Sequence, residues 1–156
     1  MENKTYLRLV NASTSDAQRL YREGMDLYFG ITQRSDQDNA MERLQKSAEM
    51  GYVPAILRFN AYSGLGHRVE SDRLLALGAE KGDPICAYIY AQACVEYRKK
   101  SDLYILELFD VAWQNGFNVI DQMTELIKKL PPDIKIVWQE KLKIDYMEGK
   151  NNGCKA

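Results

Sequence analysis

The chain has one histidine, His67, four residues after Ser63. A serine near a histidine is the beginning of a nucleophile–base pair, but the pair needs an acid to orient the imidazole. No residue nearby in sequence supplies that acid, so His67 reads as a turn residue in solvent. Gly64-Leu65-Gly66 has the opening of a phosphate cradle, but the third glycine of that pattern would fall at Val69, and no strand precedes it. Asp36-Gln37-Asp38 could begin a calcium loop. Its sixth position, which must turn sharply, is Met41, and its twelfth, normally glutamate, is Ser47. One histidine rules out multi-histidine metal sites, and Cys86 and Cys94 lack metal-ligand spacing. Glu23 and Asp26 lie three apart on one helical side, as an acid–base pair would. The neighbouring Arg19 and Arg22 mark that side as a solvated face of alternating charge. No catalytic residue, metal ligand or cofactor is therefore assigned, and the chain is expected not to be an enzyme. An enzymatic alternative would require a cleft holding titrating groups with perturbed pKa values.

The 156 residues are 46% hydrophobic and 28% charged, with formal net charge −1, as expected of one globular domain with a core of its own. Lysines and arginines are spread evenly, and the one basic cluster is Arg98-Lys99-Lys100, so no nucleic-acid footprint is expected. No apolar run approaches the roughly 18 residues of a membrane span, and no apolar stretch of a signal peptide follows Met1. Cys154 stands one place too late for prenylation. These features together predict a cytoplasmic protein. Cys86 and Cys94 lie about 12 Å apart along a helix at about 1.5 Å per residue, too far for a disulfide, and read as small core residues. Cys154, in a polar tail, reads as a free thiol.

Punctuation divides the chain into helices. Residues 1–14 read as a short polar segment around Tyr6-Leu7-Arg8-Leu9-Val10. Caps at Ser13-Thr14-Ser15-Asp16 then predict a helix to Phe29, ended by Gly30. Asn39 with Glu42 forms a capping box for a second helix to Met50, ended by Gly51. Pro54 begins a third, 55–62, broken by Gly64-Leu65-Gly66. A fourth covers 71–81 and stops at Gly82. Asp83-Pro84 starts a fifth, to Tyr97, and Ser101-Asp102 a sixth, closing at Gly116. A seventh covers 119–130, Pro131-Pro132 interrupts, and a last helix runs to Glu148 with Ile134, Val137, Trp138 and Leu142 at helical spacing. The tail 149–156 reads as flexible. Nothing alternates over enough residues to predict a sheet.

One short word recurs: Ser47-Ala48-Glu49-Met50-Gly51, Gly78-Ala79-Glu80-Lys81-Gly82 and Ala112-Trp113-Gln114-Asn115-Gly116. Its closing glycines are 31 and 34 residues apart, a period typical of helical repeat arrays. The segment from Tyr62 through Gly64-Leu65-Gly66 and Asp72 to Gly78-Ala79-Glu80-Lys81-Gly82 resembles a Sel-one-like repeat, a relative of the tetratricopeptide repeat. A first unit matches through Tyr28, Gly30, Ile31, Asp36, Ala40, Ala48 and Gly51. A third matches through Tyr97, Asp102, Ala112 and Gly116, with Arg98-Lys99-Lys100 in place of the glycine turn. The resemblance covers residues 17–116. It implies an all-α, right-handed α-α superhelix, a helical-repeat solenoid of three degenerate repeats, with residues 117–148 as C-terminal capping helices and the Trp138 helix covering the last exposed face. Where the family has a Leu-Gly pair in each first helix, this chain has Phe59-Asn60 and Tyr90-Ala91, which implies wider spacing and an irregular superhelix.

The resemblance also implies a function: non-enzymatic protein–protein interaction, as an adaptor or scaffold module holding a partner protein or peptide along a concave face. First helices line that face in the family, which places Arg22, Asp26, Asn60, Tyr88, Gln92 and Glu96 as partner-binding candidates. Among the ten tyrosines, Tyr28, Tyr62 and Tyr97 occupy the repeat's own packing position. Tyr88, Gln92 and Glu96 form a mixed stripe that reads either as an ordinary exposed face or as contact surface. A narrower alternative is an immunity protein that neutralises a cognate bacterial toxin or effector. Self-association of the array ends is a further reading.

Overall fold

The computed structural model describes residues 2–97 and 100–148, with side chains from Ser15 onward except Leu65, Tyr146 and Met147. The described residues are all-helical. They form α1 (Glu2–Phe29), α2 (Gln37–Glu49), α3 (Val53–Tyr62), α4 (Arg68–Glu80), α5 (Pro84–Tyr97), α6 (Asp102–Gln114), α7 (Ile120–Lys128) and α8 (Pro132–Met147), with one 3-10 turn at Leu65–His67. The helices pack in sequence as adjacent pairs, and they belong to two compact units, Met1–Gly78 and Ala79–Ala156. Among the described residues no helix is long and apolar enough to cross a membrane.

In the first unit α1 packs on α2 and α2 on α3. Ala17, Leu27, Ala40, Leu44, Ala48, Ala55, Ile56 and Phe59 form its core with Leu74 and Leu75 of α4. At the α1–α2 crossing, Gly24 lets the backbones approach. A Cβ there would stand 2.9 Å from Leu44 Cγ and 3.2 Å from the Ala40 carbonyl oxygen. Nearby, the buried Ser47 hydroxyl donates to the Ala17 carbonyl at 2.6 Å, satisfying a polar group that burial would otherwise penalise. Between α2 and α4, Arg73 pairs with Glu49 at 2.9 Å.

In the second unit α5 packs on α6, α6 on α7 and α7 on α8. Its core includes Cys86, Ala87, Ala91, Cys94, Leu106, Phe109, Trp113, Val119, Met123 and Ile127. Two polar clamps fasten α8 to α6. The Asp145 carboxylate, 4% exposed, accepts from Gln114 Nε2 at 2.7 Å and from Trp113 Nε1 at 3.3 Å. Lys141 pairs with Asp110 and lies over the Trp138 ring.

The three repeated words share one backbone event. Gly51, Gly82 and Gly116 all have left-handed φ, +82°, +86° and +90°, and each donates its N–H to the carbonyl three residues back. At Gly51 and Gly116 the next residue also donates five residues back, Tyr52 to Ser47 and Phe117 to Ala112. This is the Schellman arrangement, which satisfies the orphan carbonyls of a helix end. The words close α2, α4 and α6.

Several boundaries differ from the sequence reading. Residues 2–14 are helical, making α1 28 residues long. No glycine or proline interrupts 1–23, and Tyr6, Val10, Ser13 and Ala17 continue the helical spacing. A cap residue is only a local preference of about 1 kcal/mol and does not break a favourable run. Helix α2 starts earlier, because Asp36 rather than Asn39 is its cap, accepting the Asn39 N–H at 3.1 Å. Helix α4 starts at Arg68 rather than 71, continuing directly from the 3-10 turn. Val137, expected on the buried face of α8, is 66% exposed, while Leu142 is buried. Tyr97, expected to pack, is 56% exposed. The tail 149–156 with Cys154, and Arg98 and Lys99 of the basic run, lie outside the described residues.

Candidate functional site

In the first unit a connected row of rings and one guanidinium runs across α1 and α3. The Tyr28 and Tyr62 rings stack, 4.1 Å apart and 11° from parallel, and Phe29 meets Tyr62 edge-on at 6.4 Å. Four residues before Tyr62, on the same side of α3, Arg58 donates from Nη1 to the Tyr62 hydroxyl at 3.5 Å. The Tyr21 side chain of α1 is the main influence on the Arg58 guanidinium, and its ring meets Tyr52 edge-on at 5.5 Å. The Tyr21 hydrogen bond is the main cause, ahead of the charge interactions with Tyr62 and Tyr21, that holds the guanidinium above its ordinary pKa. Among the described residues no carboxylate lies within ion-pair distance of Arg58, unlike Arg19, Arg43 and Arg73 of the same unit.

The sequence reading missed this row. Tyr28 and Tyr62 stand in the structural position assigned to them, but they are packed against each other and only half-buried. Arg58, Tyr21 and Phe29 were not singled out. The signal available was the spacing of Arg58 to Tyr62, i to i+4, and of Tyr21 to Tyr28, i to i+7. Which ring meets which depends on how α1 lies beside α3.

Of the six candidates, three lie in the first unit. Arg22 is exposed, and with Tyr21, Met25 and Asp26 it lines a shallow, open depression of about 500 Å³ bordered by Ile31 and Thr32. Asp26 is occupied structurally. It accepts the Thr32 N–H at 2.7 Å and the Thr32 hydroxyl at 2.5 Å, closing the loop after α1, and these bonds hold its carboxyl below the ordinary aspartate range. Asn60 is likewise engaged. Its side-chain oxygen accepts from the buried Ser71 hydroxyl at 2.8 Å, tying α3 to α4. Arg22 and Asp26 therefore share a surface, but Asp26 and Asn60 are tied into the fold. Glu23, the other member of the sequence's carboxylate pair, bridges Arg19 at 2.8 Å and Arg43 of α2 at 2.7 Å.

The other three lie on α5 in the second unit. Gln92 donates from Nε2 to the Tyr88 hydroxyl at 2.8 Å, and the Tyr88 ring leans on Phe117 at 5.6 Å. Gln92 and Glu96 are exposed, as are Ile85 (43%) and Val95 (60%) on the same helix. By helical spacing Ile85, Tyr88, Gln92 and Val95 share one face, so the stripe is more apolar than its three named members indicate. A second depression, of about 480 Å³, opens between α7 and α8 beside Ile127, Leu142, Lys128 and Lys143.

The other side chains singled out in the sequence have ordinary surroundings. Ser63 Oγ donates to the Asn60 carbonyl at 3.0 Å, and the exposed His67 meets Phe59 edge-on. Cys86 and Cys94 are both core residues, and burial pushes the Cys86 thiol up to about 12. Among the described residues no group of three or more His, Cys, Asp or Glu converges as metal ligands would. No family model, curated protein or solved structure matches the chain.

Proposed function

We propose that this chain is a non-enzymatic protein-interaction module of the Sel-one-like repeat type. Its pairs α1–α2, α3–α4 and α5–α6 are the three repeats of a right-handed superhelix, α7 and α8 cap them, and the protein acts in the cytoplasm. The observation that carries the reading is the uneven exposure of large apolar side chains. Among the described residues, the exposed ones are Phe29 on α1 and Ile31 just after it, Val69 on α4, Ile85, Val95 and Tyr97 on α5, and Ile136, Val137 and Ile144 on α8, with none on α2, α6 or α7. Helices α2 and α6 thus bury their large apolar residues, while α1 and α5 keep part of theirs exposed. Exposed apolar area beside polar groups marks a surface that binds something.

On this reading, Arg22 and the Tyr88–Gln92–Glu96 face of α5 contact the partner, while Asp26 and Asn60 shape the surface without touching it. The test is affinity capture of partners from the native cell, followed by titration of the recovered partner against Tyr88→Ala and Arg22→Ala. Weaker binding by either variant supports the assignment. Unchanged dissociation constants for both would remove these residues from the site. Recovery of a single toxin in a one-to-one complex would narrow the module to an immunity protein.

A further inference from the structure

We propose that the Arg58 row of the first unit docks a protein segment in which an aspartate or glutamate stands close to aromatic or aliphatic side chains. The inference rests on the protein-binding reading above and names the chemistry of the partner. Arg58 is exposed, it donates to the Tyr62 hydroxyl at 3.5 Å, and the Tyr21 hydroxyl is its other main neighbour; neither carries a charge to compensate its own. A guanidinium has five donors in a planar fork. Two tyrosines use part of it, and each keeps its own O–H to donate outward. Arg58, Tyr21 and Tyr62 therefore offer several donors around one positive charge.

Their positions are fixed before any ligand arrives. Tyr62 is held flat on Tyr28, and Tyr21 is held edge-on by Tyr52. A guanidinium whose neighbours are already ordered gives up less freedom on binding than a loose one. A carboxylate is the complementary group, because it can take two parallel N–H bonds from the fork.

The rings decide against a small free anion. Phe29, 58% exposed, and Tyr28 pack on the ring of Tyr62, whose hydroxyl Arg58 contacts, and an isolated phosphate or acetate would leave these rings untouched. A segment pairing a carboxylate with an apolar side chain would use both. The apolar contact would also keep water from the ion pair and strengthen it. A basic segment would be repelled.

The test is selection of displayed random dodecamers on the full chain, followed by titration of the selected peptides at low and high salt. Expected are peptides enriched in aspartate or glutamate within a few positions of phenylalanine, tryptophan or leucine. Their affinity should fall about tenfold or more with Arg58→Met, since bonds to charged groups are the stronger class. Arg58→Lys, which keeps the charge and loses the fork, should fall in between. Tyr62→Phe keeps the stack and removes the hydroxyl, and should weaken binding less than Arg58→Met. Melting temperatures of the variants show that each remains folded. Recovery of no peptides, peptides without acidic residues, peptides indifferent to Arg58→Met, or tight binding only when phosphoserine replaces the acid would each overturn the inference. A natural partner that binds through Tyr88 or Arg22 and ignores Arg58→Met would also overturn it while leaving the module reading intact.

Discussion

Replacing Gly24 with alanine sets two known effects against each other at one site. In a helix interior alanine is favoured over glycine by about 0.8–1.0 kcal/mol. Gly24→Ala should therefore stabilise α1 if space is free. It is not free: the new Cβ would stand 2.9 Å from Leu44 Cγ, 3.1 Å from Leu44 Cδ2 and 3.2 Å from the Ala40 carbonyl. Carbon pairs rest at about 3.5–4.0 Å. Leu44 is 0% exposed and has no solvent to swing into, and the carbonyl belongs to the α2 backbone. Overpacking of this kind costs about 1–3 kcal/mol. The clash should win, and the variant should be less stable by about 1 kcal/mol.

The check is urea denaturation followed by circular dichroism and, separately, by tryptophan fluorescence. Both tryptophans, Trp113 and Trp138, belong to the second unit, so fluorescence reports that unit while circular dichroism reports both. The loss should appear in the dichroism transition. Leu44→Ala alone should cost about 2–5 kcal/mol. In that background the two Leu44 atoms are gone and only the Ala40 carbonyl remains, and Gly24→Ala should shift toward stabilising by about 1–2 kcal/mol, a coupling well beyond the roughly 0.3–0.5 kcal/mol scatter of independent sites. Simple additivity, or a stabilising Gly24→Ala in the unaltered chain, would refute the reasoning that α1 and α2 touch through this glycine.

Three further perturbations probe other contacts. Asp145→Ala should lower the stability of the second unit by about 1–3 kcal/mol, because it takes the acceptor from the buried Trp113 indole, and the fluorescence-monitored midpoint reads it. Cys86, with its thiol near 12, should be about one part in ten thousand thiolate at about pH 8 and resist iodoacetamide until denaturant is added, as peptide mass spectrometry would show. Asp26 has a folded pKa below its unfolded one, so its contribution is complete above the ordinary value near about 4 and fades as pH falls through the lowered one. The stability gap between the chain and Asp26→Asn should therefore shrink from about pH 6 toward about pH 2, measured as urea midpoints.

Helix ends were legible in the sequence because their chemistry is local. Gly51, Gly82 and Gly116 close helices in the left-handed region, and the Asp83 carboxylate caps α5 by accepting the Cys86 N–H at 2.7 Å. Ser101 caps α6 in the same way, accepting from Tyr104 at 3.1 Å. Contacts between elements were not legible. Spacing shows that Ile134, Val137, Trp138 and Leu142 recur at helical intervals, but not which of them finds a neighbour, and Val137 finds water. Asp26 and Asn60 looked like surface groups because polar residues on first helices usually are. Their partners, Thr32 and Ser71, lie in a loop and on another helix, and only the folded chain brings them close. The same holds for Arg58, whose neighbours Tyr21 and Tyr62 lie on α1 and α3 and meet it only in the folded chain.

The helices are under different constraints. Helices α2 and α6 pack against helices on both sides, α1 and α3 in one unit and α5 and α7 in the other. Leu44, Ala48, Leu106, Phe109 and Ala112 are accordingly 1% exposed or less. Helix α5 has a high apolar content yet leaves Ile85 and Val95 in water on a face that also carries Gln92. Folding alone would favour a polar residue at Val95, because an exposed apolar side chain adds nothing to the core. Substitutions on α2 and α6 should therefore register as stability; under the proposed protein-binding function, those on the open faces of α1 and α5 should register as binding instead.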